Sequence, residues 1–231
     1  MLVYIDKLYQ QTFDAFGKID IIAASAGVCD KLKIDDITEE FFDKIVNVNY
    51  KGTFFTIQKA VKYLNNSASI ILVSSTAAHR SVSGNSVYSS TKAAISRMVK
   101  NFAADLADRR IRVNAVSPGT IETPMLGSNR SDEFMAKIAS HIPFKNIGDP
   151  DDIANYVLFL ASDNNDFFFK SHTSRNSPSF KLSVSQSLDS TPIFLSITRA
   201  SDTAPNNHNI SQLSYEWLKE EYTTMRLFSQ Q

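Results

Sequence analysis

Three short runs of apolar residues constrain this chain more than any other feature. They are Asp20-Ile21-Ile22-Ala23-Ala24, Ser69-Ile70-Ile71-Leu72-Val73-Ser74 and Ile111-Arg112-Val113-Asn114-Ala115-Val116. Each is too short for a core helix, and the runs read as strands buried in a parallel sheet. The stretches between them carry helical spacing. Residues 2–16 set Ile5, Leu8, Phe13 and Phe16 at helical intervals and stop at Gly17. Thr38 is the expected N-cap of a long helix whose apolar side includes Phe41, Ile45, Val48, Ile57, Val61 and Leu64. Asn65-Asn66-Ser67 breaks it. Residues 88–107, 132–140 and 150–161 also read as helices, the last opened by Pro150.

Alternation of such strands and helices predicts an α/β fold: a parallel sheet with helices on both faces. Right-handed crossovers bring the three loops that follow the strands to one edge. These loops are Ser25-Ala26-Gly27, Ser74-Ser75-Thr76 and Pro118-Gly119-Thr120. Open α/β sheets bind ligands at that edge.

Composition narrows the function classes. Lys plus Arg and Asp plus Glu both number 24, so the basic excess of a nucleic-acid binder is missing. Cys29 is the single cysteine. It cannot form an internal disulfide, implies a reducing compartment, and reads as a small buried hydrophobe. No zinc-ligand spacing occurs, so no metal is expected. Asp6 and Lys7 interrupt any signal-peptide apolar region, and no run approaches a membrane span. The expectation is a soluble cytoplasmic protein.

The character of the chain changes after about Asp166. Phe167-Phe168-Phe169 leads into a Ser-, Thr- and Asn-rich stretch reaching about His208. Leu182, Val184 and Leu188, then Ile193, Phe194, Leu195 and Ile197, leave a marginal hairpin and disorder both open. Residues 210–228 suggest a final helix. Two segments are therefore expected: a core over 1–166 and a divergent tail over 167–231.

The chemistry concentrates at Tyr88-Ser89-Ser90-Thr91-Lys92. Tyr and Lys four apart share a helix face, and an adjacent ammonium lowers a phenol's pKa toward neutrality. Such a tyrosine can donate a proton to a carbonyl or remove one from an alcohol. The spacing alone is weak, because Tyr215 and Lys219 repeat it within the tail. Context separates the two pairs. Thirteen residues before Tyr88 stands Ser75, at the end of an apolar strand; thirteen before Tyr215 stands Asp202, in a polar loop. A serine hydroxyl beside the tyrosine can hold a substrate oxygen as charge develops on it.

Several linked motifs surround this pair. They are Ala26-Gly27-Val28 after the first strand, Asn47-Val48-Asn49-Tyr50-Lys51-Gly52 in the long helix, and Ile71-Leu72-Val73-Ser74-Ser75. Tyr88 through Ala94, Arg112 through Gly119, and Pro143 through Ala154 follow. In order and spacing the chain resembles the classical short-chain dehydrogenase/reductase family over roughly residues 5–166.

The resemblance implies a nicotinamide-dependent oxidoreductase, using NADP or NAD, that interconverts a small-molecule carbonyl and an alcohol. Tyr88 would be the general acid/base. Lys92 would lower its pKa and hold the nicotinamide ribose. Ser75 would orient the carbonyl, and Asn49 would hold a water linking Lys92 to solvent. Pro118, Gly119, Ile121 and Thr123 would line the nicotinamide pocket, with Ala26 and Gly27 beneath the adenine-side ribose. Met125 through His141 would form a substrate lid. Ser25 stands where the family usually has asparagine. Neither a membrane nor a nucleic acid is an expected partner; a homo-oligomer through the long helices is.

The resemblance also implies a doubly wound, Rossmann-like sheet, and here an incomplete one. The seven glycines stand at 17, 27, 52, 84, 119, 127 and 148, and none of them forms the family's glycine-rich phosphate turn. In the family's order the chain starts at the helix before the fourth strand, so about 60–80 residues of βα units are expected to be missing. Asp20–Ala24 would then be an exposed apolar edge strand. An N-terminally truncated oxidoreductase is the primary reading. The alternative is a non-catalytic remnant, or an interaction partner of an intact homologue.

Overall fold

The structure is a computed structural model that describes residues 2–127, 131–162 and 195–198. Helix α1 (Leu2–Phe16) ends where Gly17, at φ +77°, returns its N–H to the Phe13 carbonyl at 2.8 Å. Glycine adopts that left-handed φ without a Cβ penalty. Strand β1 (Ile19–Ala24) follows. The long helical run opens with α2 (Glu39–Val46), and Thr38 caps it by accepting the Phe41 N–H at 3.2 Å.

That run is not one regular helix. Between α2 and α3 (Thr53–Ala60) lies a π-helical segment, Asn47–Gly52, and a 3₁₀ turn at Val61–Tyr63 finishes it. π-turns inside helices are rare and concentrate at functional sites. Asn49 sits within this one and is fully buried.

Strand β2 (Leu64–Val73) begins at Leu64 rather than at Ser69. The helical run ends one residue earlier than expected, at Tyr63, and Asn65-Asn66-Ser67 forms an irregularity inside the strand instead of a break after the helix. The β1–β2 register shifts between Ile19 and Ile21, and Ser67 sits at φ +63°. Asn65 donates to the Asp20 carboxylate at 2.6 Å there. Next come α4 (Ser86–Asp105), β3 (Arg112–Val116), α5 (Asp132–Ser140) and α6 (Pro150–Ala161). Pro150 occupies the first turn of α6, and Asp149 and Asp152 form a reciprocal capping box.

The sheet order is β3-β2-β1-β4, where β4 is Leu195–Thr198. β1, β2 and β3 run parallel, as expected. β4 runs antiparallel to β1, pairing Ile21 with Thr198 through Ala24 with Leu195. This corrects the expectation of an exposed β1 edge. A remote segment supplies the missing neighbour and satisfies backbone groups that an apolar edge would leave open. The expected features at Phe167–Leu188 and the helix over 210–228 lie outside the described residues.

Alternation along the strands divides the core between two layers. Ile22, Ala24, Ile70, Leu72 and Val113 face one side, where they join Ile5, Tyr9, Ile57, Ile95 and Met98 from α1, α3 and α4. Ile71 and Val116 face the other, where they meet Leu160 and Ala161 of α6. Arg112, 4% exposed, fixes α6 from below. Its guanidinium donates to the Leu160, Ala161 and Ser162 carbonyls at 2.7, 3.3 and 3.0 Å. Ser69 Oγ adds a bond to Leu160 O at 3.0 Å. These are the carbonyls a helix end leaves unsatisfied.

Arg112→Met removes its bonds to the Leu160, Ala161 and Ser162 carbonyls and leaves Leu160 O with Ser69 Oγ. The expected loss is about 3 kcal/mol of stability, read from the urea midpoint. An unchanged midpoint would show that α6 is held by other means.

Candidate active site

The loops after β1, β2 and β3 meet at one edge because the backbone ladder continues past the strands. Ser74 N–H donates to Val116 O and Thr76 N–H to Pro118 O, both at 2.8 Å. Ser75 therefore stands beside the Pro118 segment. Its Oγ accepts the Ala77 N–H at 3.1 Å, which fixes the hydroxyl at the start of a 3₁₀ turn.

Helix α4 carries Tyr88 and Lys92 on its buried face, 5% and 3% exposed. The Ser75 hydroxyl lies close enough to the Tyr88 phenol to favour its ionised form. Lys92 Nζ lies 5.8 Å from the Tyr88 ring centre and donates to Val73 O at 2.8 Å. Ser74 Oγ, at the end of the same strand, donates to Lys92 O at 2.8 Å. Both ends of the lysine are thus tied to the C-terminal end of β2.

Asn49 joins this group from the π-turn. Its Oδ1 accepts the Val28 N–H at 2.8 Å, and its Nδ2 donates to Val28 O at 2.9 Å and Thr91 Oγ1 at 3.2 Å. One buried amide therefore binds the loop after β1 to α4. Gly27 packs closely against both Asn49 and Lys92. A Cβ there would stand 3.3 Å from Lys92 Nζ and 3.4 Å from Asn49 Oδ1.

The remaining expected residues lie along the same edge. Pro118, Ile121 and Thr123 are buried, while Ala26 and Gly119 are half-buried. Ile121 bridges to Gly148, and Glu122 N–H donates to Gly148 O at 2.9 Å, which pins this segment to the loop before α6. The expected lid is represented by a 3₁₀ turn at Pro124–Leu126 and by α5, none of whose residues is buried. Residues 128–130 lie outside the described residues.

Two expectations need correction. Cys29 is not a buried hydrophobe: it is half-exposed and close enough to influence both Tyr88 and Lys92 electrostatically. Nor does Lys92 draw the Tyr88 phenol toward neutrality in this arrangement. Burial pushes the phenol up to about 12, opposed by the Ser75 hydroxyl. Burial also pushes the Lys92 ammonium down to about 8, opposed by Cys29. Desolvation dominates both shifts because both groups sit in low dielectric. The residues that spacing did not point to are Thr91 and the Val73 carbonyl. Nothing in their residue types marked them; they matter because folding sets them against Asn49 and Lys92.

Comparison with known proteins identifies the family and its fold. Residues 4–170 fit the family model described as Enoyl-(Acyl carrier protein) reductase. The chain belongs to the classical short-chain dehydrogenase/reductase family. It is 37% identical over 171 residues to the versicolorin reductase stcU of Emericella nidulans, covering 69% of this chain and 65% of that one. It is 35% identical over 165 residues to the 3-oxoacyl-[acyl-carrier-protein] reductase FabG of Thermotoga maritima, covering 71% and 67%. Among solved structures, a short-chain dehydrogenase/reductase from Serratia marcescens superposes with a TM-score of 0.68 at 28% identity, covering 72% of this chain and 68% of that one. A dehydrogenase/reductase from Sinorhizobium meliloti gives 0.68 at 32% identity, covering 72% and 66%. Family members are dehydrogenases and reductases, and the matched fold is their Rossmann-like sheet with flanking helices. No helix among the described residues is long and apolar enough to cross a membrane.

Two predictions follow from the buried pair and its glycine. Lys92 has a folded pKa of about 8, below the ordinary 10.5. Between those values the unfolded chain binds more protons, so stability rises with pH. Tyr88 has the opposite sign. Its pKa rises from 10.0 to about 12, so its contribution is lost as pH climbs through that window. Urea midpoints should therefore increase from pH 8 toward 10 and decline above it, and Lys92→Met should remove the rise. A wild-type rise that survives in Lys92→Met would assign it elsewhere. Gly27→Ala should cost about 1 kcal/mol, because the new methyl group meets Lys92 Nζ at 3.3 Å and the lysine, tied to Val73 O, must give way slightly. A neutral effect in the same denaturation assay would show that the contact relaxes freely.

Proposed function

We propose that this chain is an NAD(P)-dependent oxidoreductase that interconverts a carbonyl and an alcohol on a small molecule, with Tyr88 as the general acid/base. The observation that carries the reading is the convergence of the Ser75 hydroxyl, the Tyr88 phenol and the Lys92 ammonium at the C-terminal edge of the sheet.

The nicotinamide half of the cofactor suits the groups present. Val73 O takes one of the three Nζ protons of Lys92, leaving donors suited to ribose hydroxyls. Ala26, Gly27 and the Pro118–Thr123 segment flank that position. When bound, the reduced dinucleotide supplies the hydride. The protein's part is to hold and move the proton. With its pKa near 12, Tyr88 keeps its proton at neutral pH and can donate it to a carbonyl oxygen. Ser75 Oγ, fixed by the Ala77 N–H, donates a second hydrogen bond to that oxygen as it gains charge. Lys92 then stabilises the phenolate that remains. Asn49 positions Gly27 and Lys92 through its bonds to Val28 and Thr91, and a water held there would connect Lys92 to solvent.

Tyr88→Phe should lower turnover at least about a hundredfold while leaving dinucleotide binding within about threefold. Fluorescence titration with NADPH and NADH, followed by turnover assays, separates the steps. Full turnover in Tyr88→Phe overturns the role of Tyr88. Failure of the folded chain to bind either dinucleotide favours the reading as a non-catalytic partner of an intact homologue.

A further inference from the structure

Strand β1 carries few of the devices that protect a sheet edge. Proline, bulges and charges on an edge discourage pairing with another chain. The stretch Ile21-Ile22-Ala23-Ala24 holds no proline and no charge. The one charge of the strand, Asp20, is engaged by the Asn65 amide at 2.6 Å. Strand β2 occupies one side of β1, and among the described residues the other side depends on β4 alone.

β4 covers that side with little margin. It has four residues and pairs only with Ile21 through Ala24, so Ile19 and Asp20 lie outside its register. It reaches β1 from α6 across residues 163–194, so the pairing closes a long stretch of chain. Short edge pairings of this kind belong to the low-stability end of a fold and open before the core does. When β4 leaves, β1 presents a row of backbone donors and acceptors beside apolar side chains.

The strand's own sequence sets what that edge accepts. β4 shows that it takes an antiparallel partner. A second copy of β1 is antiparallel when the two copies are related by a two-fold axis through the sheet. Opposed residues must then share a face, because side chains alternate along each strand. With Ala23 on the axis, Ala23 meets its own copy and Ile22 meets Ala24. Asp20 lies beyond this overlap, so no charge enters it.

We propose that β4 is an intramolecular guard of β1, and that its release lets two copies of this chain join through their β1 edges into one continuous sheet. The proposal is independent of the oxidoreductase reading, since it uses none of the catalytic residues.

The test places proline in β4 of the 231-residue chain. Successive residues of an antiparallel strand turn their N–H groups alternately toward the partner and away from it. Of Ser196→Pro and Ile197→Pro, one therefore deletes a bond to β1 and the other does not. Self-association is read by size-exclusion chromatography with light scattering over a concentration series, and edge opening by amide hydrogen exchange. One variant should dimerise at least about tenfold more tightly than the wild type, because its open fraction rises, while the other stays within about threefold. In the dimerising variant, the Ile21–Ala24 amides should exchange faster than wild type at low concentration and regain protection at high concentration. Adding Ala23→Lys to that variant sets like charges against each other on the axis and should restore the monomer. Clumping of a variant that fails to fold would not respond to that single charge. Unchanged β1 exchange in both proline variants, or equal effects of the two, overturns the guard. Faster β1 exchange without dimers, or dimers that survive Ala23→Lys, overturns the pairing of two β1 edges.

Discussion

The side-chain amide of Asn49 is the fastening on which the site depends. It bonds both the N–H and the C=O of Val28 and also reaches Thr91, so one buried group joins the π-turn, the loop after β1 and helix α4. Without it the loop carrying Ala26 and Gly27 has no fixed distance to Lys92. A buried hydrogen-bonding group is worth only about 1 kcal/mol net when satisfied, but leaving its partners unsatisfied costs more. The amide's surroundings therefore form as a unit. The π-turn belongs to the same unit, because the irregular backbone of Asn47–Gly52 contains the buried Asn49.

Lys92 shows what such a fastening permits. A fully buried ammonium is costly, and that cost appears as a pKa lowered to about 8. The chain tolerates it by tying Nζ to Val73 O and the lysine's own carbonyl to Ser74. Tyr88, buried beside it, moves the other way. The result is a proton-holding phenol next to a cation that loses its charge easily. Two adjacent groups with perturbed and opposed titrations mark a functional site more often than a structural one.

Much of the fold was legible because local rules and tertiary structure agree. Gly17 stops α1, Thr38 caps α2, and Asp149 with Pro150 opens α6, each by a mechanism readable from residue type. The three parallel strands were legible from apolar runs that only a sheet covered on both faces can bury. The grouping of Ser75, Tyr88 and Lys92 was legible because their spacing puts Ser75 just past a strand end and the other two on one face of α4. Elements failed to be legible where local propensity was overruled. Asn65-Asn66-Ser67 looks like a loop but lies within β2, since pairing with β1 absorbs the irregularity. Cys29 looks like a core residue but lies half-exposed near the reactive pair.

The sequence by itself determined the class of fold, the edge at which the loops gather and which side chains are candidates for the chemistry. Those follow from periodicity and spacing, which are local. Only the tertiary structure decided which way the pKa values moved, because desolvation depends on everything packed around a group. It also decided that Asn49 binds Val28, that Lys92 binds a carbonyl of β2, and that Leu195–Thr198 pairs with the outer edge of β1. Each of these joins residues far apart in the chain. Local sequence carries no signal for such contacts, since their free energy appears only after the loops between them have closed.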